Sequence, residues 1–261
     1  MTAIALPAPD ELIPSLLDVA REAGRAILGH YHPEVARADK ADGSPVTAAD
    51  HASEAIIVAA LQAIDPGIPV VAEEAFAAGR VPGDAAGRVW LGDPLDGTKE
   101  FLKANGEFCI CIGLVEDRRP VLGLIHAPVG GESFWGHGDQ AYRQAGDARP
   151  ERIHARRKPA SGLVVLASRS HGDRDDLKKF LAGKNVAETR ISGSAVKFCR
   201  LAQGVGDLYP RLGPTMEWDT AAGHAILDAA GGSVTMLDGS PLLYGKPGFL
   251  NTPFVARGRS S

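Results

Sequence analysis

Two carboxylates three positions apart, Asp93 and Asp96, stand in the run V-W-L-G-D-P-L-D-G-T-K-E-F from Val89 to Phe101. Like charges held this close repel, and a hard cation such as Mg²⁺ gives them a reason to share a turn. Pro94 fixes a backbone angle between them, and Gly97 permits a tight approach just beyond. A hydroxyl and a cation follow at once, in Thr98 and Lys99. Val89, Trp90 and Leu91 read as a buried strand end, and Gly92, Asp93 and Pro94 are expected not to continue the sheet.

The bland alternative is a surface turn, which Asp-Pro and Asp-Gly pairs both favour. Another is the D-x-D-x-T signature of haloacid-dehalogenase-type phosphatases, in which the first Asp is a nucleophile. There the acids lie two apart. Here they lie three apart with Pro94 between, which argues for metal ligation by both. Four other places could add to such a site, and each has an ordinary use. Asp50, three residues after Thr47, matches a capping box, and its local pattern favours that role. Glu73 and Glu74 close a short strand and alone read more readily as solvated loop than as metal ligand. Asp219 opens a helix in W-D-T-A-A-G-H, where N-capping competes with metal ligation. Ser194 is similarly either a cap or a phosphate contact, and Lys197, one turn on, reads most simply as a solvated lysine.

The elements that must position these residues show in the hydrophobic pattern. Helices are expected near residues 12–28, 47–64, 174–181, 194–203 and 220–230. Strands are expected near 68–71, 107–115, 121–127 and 132–136, and the short turns between the last three imply antiparallel hairpins. G-H-G-D-Q-A at 136–141 looks like a dinucleotide fingerprint, but it follows a hairpin strand and leads into no clear helix. Strands near 163–167, 186–191, 207–209, 233–236 and 249–255 alternate with helices, the mark of a mixed α/β half. Residues 76–88 read as an exposed loop, and the basic, Pro- and Gly-containing stretch 144–161 as a boundary. The chain thus divides into 1–150, an α+β half with an antiparallel sheet, and 151–261, a mixed α/β half.

Composition narrows the function further. The 261 residues are 44% hydrophobic and 23% charged, as in an ordinary globular protein. A net charge of −4 gives no general attraction to nucleic acid or an anionic membrane, so an anionic substrate needs a local cationic site. Three cysteines form no disulfide framework and suggest a reducing compartment. Cys109 and Cys111 alternate on one strand and read as core residues rather than zinc ligands. The N-terminal residues lack the basic and apolar regions of a signal peptide, and no apolar run approaches the ~20 residues of a membrane span.

Glu73-Glu74, D-P-L-D-G-T at Asp93–Thr98 and W-D-T-A-A-G-H at Trp218–His224 together resemble the inositol monophosphatase superfamily, over nearly the whole chain. Within it, Lys99-Glu100-Phe101, N-G-E-F at Asn105–Phe108, S-R-S-H at Ser168–His171, K-F-C at Lys197–Cys199 and Y-P-R-L-G-P-T at Tyr209–Thr215 resemble the bacterial CysQ-type 3'(2'),5'-bisphosphate nucleotidases. Inositol phosphatases usually carry Thr-Asn-Phe after D-G-T. Ala195 departs from the branch, where a second Ser is usual.

The resemblance implies a layered α-β-α-β-α fold, two or three Mg²⁺ per site and lithium sensitivity. It implies a cytoplasmic hydrolase that converts adenosine 3',5'-bisphosphate to AMP and phosphate and recycles nucleotide in sulfur assimilation, with the sulfated relative as a further substrate. Glu73, Asp93, the Leu95 carbonyl, Asp96 and Asp219 are then metal ligands. Asp50 and Thr98 orient and deprotonate the attacking water. Substrate contacts fall to Gly97, Thr98, Lys99, Ser168, His171, Ser194, Lys197, Arg211 and Asp219. Monomer or homodimer, and free or peripheral on the inner membrane, stay open. An inositol-phosphate or fructose-bisphosphate phosphatase is the alternative within the superfamily, and a metal- or phosphate-binding regulator the alternative outside enzymes.

Overall fold

The structure is a computed structural model, and it describes residues 8–32, 37–40, 45–81, 87–169 and 174–259. Leu12, Leu16, Ala20, Ala23 and Ile27 bury one stripe of α1 (Pro9–Gly29). A short hairpin follows, β1 (Arg37–Asp39) with β2 (Pro45–Thr47). Thr47 caps α2 (Ala48–Ile64), which leads to β3 (Val70–Ala72), α3 (Glu73–Ala77), β4 (Arg88–Asp96) and α4 (Thr98–Leu102). The meander that comes next comprises β5 (Cys109–Glu116), β6 (Arg119–Ala127), β7 (Glu132–His137), β8 (Gln140–Ala145) and β9 (Glu151–Arg152). Strands β3 to β9 form a seven-stranded sheet in sequence order, parallel between β3 and β4 and antiparallel elsewhere.

The remaining elements are β10 (Leu163–Ser168), α5 (Arg174–Leu181), β11 (Val186–Ser192), α6 (Val196–Ala202), β12 (Leu208–Arg211), β13 (Thr215–Met216), α7 (Ala221–Ala229), β14 (Ser233–Met236), β15 (Leu250–Asn251) and β16 (Phe254–Arg257). A second sheet runs β11-β10-β12-β16-β14, parallel over its first three strands and antiparallel beyond.

Strand alternation sorts the core into layers. On β5, Ile110, Ile112 and Leu114 pack with α1 and α2, whereas Cys109, Cys111 and Val115 face α6 and α7. The same α6–α7 layer meets Leu166, Tyr209 and Phe254 of the second sheet. Opposite them, Val165, Leu208 and Val255 pack against Phe180 and Leu181 of α5. The order is therefore helices, sheet, helices, sheet, helix.

Three glycines set the contact at the centre. Gly113, Gly123 and Gly136 stand side by side across β5, β6 and β7. A Cβ at Gly123 would lie 2.1 Å from the Ala222 carbonyl oxygen, and one at Gly136 would lie 2.8 Å from Ile226 Cα. Helix α7, itself lined with alanines, rests directly on the first sheet, and Asp219 lies two residues ahead of it.

Two expectations are corrected. The first sheet does not stop at Gly92: Gly92 pairs with Ile112 and Asp93 with Cys111, and pairing resumes at Asp96 with Cys109. Pro94 and Leu95 fall in the irregularity between, where Pro owes the ladder no N–H. Strands β8 and β9 also extend the sheet into the region read as a connector, because their polar composition hides an edge-side pairing.

Candidate active site

The bulge in β4 turns two acids into one cavity of about 310 Å³. Asp93 closes the bulge itself, accepting the Leu95 N–H through Oδ1 at 2.9 Å. Glu73 reaches the cavity from the start of α3, where β3 lies parallel to β4. Asp219 arrives from the segment before α7. It does not cap that helix: Thr220 occupies the cap position, and Asp219 Oδ2 instead accepts the Met216 N–H at 2.9 Å. One oxygen from each of Glu73, Asp93 and Asp219 lies within 4.8 Å of the others. All are hard oxygen donors, and they fit an alkaline-earth cation better than a soft metal.

The arrangement is costly without a cation. Burial, then Glu73, Asp96 and Asp219, pushes the Asp93 carboxyl well above its ordinary range. Burial and the neighbouring acids Asp96 and Glu73 push Asp219 up to about 8. Asp96 rises to about 6 through burial, held back by Lys197 and by the Ala195 N–H that it accepts. One cation already answers part of this charge. Lys40 Nζ lies 2.6 Å from Glu73 and 2.7 Å from Glu74. Burial alone would lower its pKa, but the two glutamates outweigh burial and hold it above the usual lysine value. Nothing in the local sequence distinguishes Lys40 from a solvated lysine, and sequence reasoning passed over it.

Asp50 serves two uses at once. Its Oδ2 accepts the Thr47 N–H and hydroxyl at 2.8 and 2.7 Å, completing the capping box. Its Oδ1 accepts the Thr98 hydroxyl at 3.1 Å, and the same hydroxyl lies 3.3 Å from the Leu95 carbonyl. Thr98 lines the cavity, while Asp50 sits behind it at 1% exposure. Gly97 makes the junction possible with φ +101°, and a Cβ there would meet the Glu107 carbonyl at 3.0 Å. Leu95, Gly97 and Lys99 complete this side of the cavity.

The opposite wall is cationic. Lys197 is buried rather than solvated; its ammonium donates to the Ser192 and Ser194 carbonyls and lies 5.1 Å from the Tyr209 ring centroid. Ser194 lines the cavity in the left-handed region at φ +48°. Its hydroxyl accepts a long bond, 3.4 Å, from the Val196 N–H, and α6 is capped by Ala195. Arg211 donates to Ser168 Oγ at 3.0 Å and to the Pro214 carbonyl at 2.7 Å, and its buried Nε has no partner among the described residues. His171 lies outside the described residues. Glu107 and Arg169, quoted above only as parts of motifs, form a bidentate pair beside the cavity. Cys109 and Cys111 are buried on the core side of Asp96; Cys109 Sγ lies 3.8 Å from Asp96 Oδ2 and 3.9 Å from Cys111 Sγ.

Comparison with known proteins adds four findings. The inositol monophosphatase family profile matches residues 8–258. A curated 3'(2'),5'-bisphosphate nucleotidase CysQ from Salmonella typhimurium is 42% identical over 247 residues, 93% of this chain and 98% of that protein. Among solved structures, CysQ from Bacteroides thetaiotaomicron is 38% identical with a TM-score of 0.77, covering 95% of this chain and 97% of the other. An inositol monophosphatase from Anabaena is 28% identical with a TM-score of 0.73, covering 94% and 91%.

Proposed function

The chain belongs to the inositol monophosphatase family, a family of metal-dependent enzymes, and on that premise we propose that it is a Mg²⁺-dependent 3'(2'),5'-bisphosphate nucleotidase. Its substrate is adenosine 3',5'-bisphosphate, cut to AMP and phosphate, and the sulfated relative is a second one. One observation carries the reading. A cluster of oxygen donors, Glu73, Asp93 and Asp219, faces Ser194, Lys197 and Arg211 across a single cavity. A site for a singly phosphorylated polyol has no need of that second, cationic wall, whereas a ligand with two phosphates does.

Glu73, Asp93, the Leu95 carbonyl, Asp96 and Asp219 would hold the metal. Bound there, two or three Mg²⁺ ions would neutralise the phosphate, lower the pKa of a bound water and stabilise the leaving oxygen. Thr98 and Asp50 handle the proton. Asp50 Oδ1 holds the Thr98 hydrogen, so the Thr98 oxygen is free to accept a hydrogen from the attacking water. As the water oxygen bonds to phosphorus, that proton passes to the Thr98–Asp50 pair, the P–O bond breaks with its electron pair on the 3'-oxygen, and that oxygen takes a proton from solvent water to become the 3'-hydroxyl of AMP. Lys197 and Ser194 take the second phosphate; Arg211 and Ser168 stand beside them, with His171, Gly97 and Lys99 as further contacts. Among the described residues no helix is long and apolar enough to cross a membrane. The cysteines are free and buried, which favours a reducing compartment, and we assign the enzyme to the cytoplasm.

A phosphate-release assay with adenosine 3',5'-bisphosphate, its sulfated relative, inositol phosphate and fructose bisphosphate tests the reading. The first substrate should be preferred, and release should vanish with chelator and return with Mg²⁺. Preference for inositol phosphate would overturn the substrate assignment. No release from any of the four would favour a binding protein.

A further inference from the structure

Between α4 and β5 the chain makes a short loop whose shape is set locally: Ala104 and Gly106 have φ of +52° and +77°, and Asn105 Oδ1 accepts the Glu107 N–H at 2.9 Å. The loop delivers the Glu107 carboxylate to the other half of the molecule. There Oε2 accepts the Gly193 N–H at 2.8 Å and Arg169 Nε at 2.9 Å, and Oε1 accepts Arg169 Nη2 at 2.8 Å. The contact is close enough that a Cβ on Gly193 would lie 2.7 Å from Glu100 Cγ and 2.8 Å from the Glu107 carbonyl oxygen.

Gly193 is the middle of the turn that carries Ser192 and Ser194, the two residues whose carbonyls receive the Lys197 ammonium. Ser194 holds a left-handed φ that a non-glycine residue keeps only when its surroundings impose it. Two anchors from the first half impose it here. Asp96 accepts the Ala195 N–H on one side, and Glu107 accepts the Gly193 N–H on the other.

We propose that Glu107 is a positioning residue for the second-phosphate subsite. It sets the Ser192–Ala195 turn through the Gly193 N–H, and thereby the place of Ser194 and Lys197, with Arg169 orienting the carboxylate. The inference rests on the reading that Lys197 and Ser194 receive the phosphate that is not cut.

The sign of the effect separates this role from a simple charge effect. A carboxylate near an anion subsite repels the ligand, so removing it as a mere charge should lower KM. Removing it as an anchor should raise KM. Steady-state kinetics of Glu107→Ala, Glu107→Gln and Arg169→Ala on adenosine 3',5'-bisphosphate and adenosine 3'-monophosphate, with thermal melts of each variant, decide the matter. Glu107→Ala should raise KM for the bisphosphate about tenfold and change kcat by less than about threefold, as loss of a charge-assisted anchor implies. KM for the monophosphate should move little. Glu107→Gln keeps an acceptor for Gly193 and should stay within about threefold of wild type. If the alanine variant fails to fold, the intermediate rise in KM of Arg169→Ala carries the test. Arg169→Ala, which leaves the Gly193 bond, should fall between.

A lower KM, an equal loss on both ligands, or a Gln variant as impaired as a folded Ala variant would overturn the role of Glu107. A wild-type enzyme with no preference for the bisphosphate over the monophosphate would overturn the functional reading itself, and this inference with it.

Discussion

The floor of the cavity and the wall that faces it are both buried and both charged, yet they are held in opposite ways. On the wall, every cation has a protein partner. Lys197 donates to two carbonyls over the Tyr209 ring, and Arg211 donates to Ser168 and Pro214. On the floor, Asp93 has one backbone donor and faces Glu73, Asp96 and Asp219. The wall still keeps one buried donor, Arg211 Nε, without a partner among the described residues, and that N–H is free to meet an anion. The floor is assembled against its own electrostatics: Lys40 bonds Glu73 and Glu74, and Lys197 offsets part of the cost at Asp96. Under the proposed function, substrate recognition and metal recognition should respond differently to single changes.

The largest effect belongs to the floor. Asp96→Asn should lower turnover by at least ~10³-fold, because several kcal/mol of transition-state charge stabilisation depend on the metal cluster. The metal-free variant should melt above metal-free wild type, since one repelling charge is gone. Wild-type turnover at limiting Mg²⁺ would remove Asp96 from the ligand set.

Next comes Thr98, which joins the floor to the proposed proton relay. Thr98→Val should lower kcat by roughly 10²–10³-fold with Mg²⁺ affinity nearly unchanged, the usual worth of a positioned general-base system. Isothermal titration of Mg²⁺ beside kinetics checks both halves of that statement. In ¹⁸O-water, label should enter phosphate only, with no phosphoenzyme trapped on Asp93.

The wall should yield a smaller and more selective loss. Lys197→Ala should reduce kcat/KM for adenosine 3',5'-bisphosphate by ~10–100-fold, equivalent to ~1.5–3 kcal/mol of charge-assisted bonding. Inositol phosphate should suffer much less. Equal losses on both would erase the distinction between wall and floor.

The smallest effect concerns stability. Asp96 and Asp219 titrate near 6 and 8 in the folded protein, against an ordinary aspartate value near 3.9 in the unfolded chain. The native state thus binds more protons than the unfolded state across that window. The stability these groups add is complete below about pH 4 and is lost as pH rises through 6 and 8. Melts of chelator-treated protein should fall by roughly 5 °C between pH 5 and 8.5, less steeply in Asp219→Asn, and Mg²⁺ should restore most at the alkaline end. A flat profile would mean the floor carries no net repulsion.

Much of this was legible in the residues. Periodicity located α1, α2 and the hairpins, because helix and strand faces are written in apolar spacing. The acids of D-P-L-D-G-T and Asp219 were chosen by type and spacing, with the family resemblance supplying their convergence. Local rules misled where a residue has two partners. Asp50 looked like a cap and is one, and only the fold brings Thr98 to its other oxygen. Gly92 to Pro94 looked like a strand end, yet a bulge lets β4 carry both acids while staying paired. Lys40 was invisible as a functional residue and Glu107 entered only inside the N-G-E-F motif without a role, because their partners lie in distant segments.

The glycine row under α7 has a consequence for how such a chain can drift. The clearance at Gly123 is measured to a backbone oxygen of Ala222, so shaving a helix side chain cannot recover it. A side chain gained there has no nearby suppressor; relief requires the whole helix to lift, and Asp219 leads directly into that helix. A neutral-looking methyl on a strand that carries none of the acids would be felt as a displaced carboxylate, and the simplest route back would be reversion to glycine.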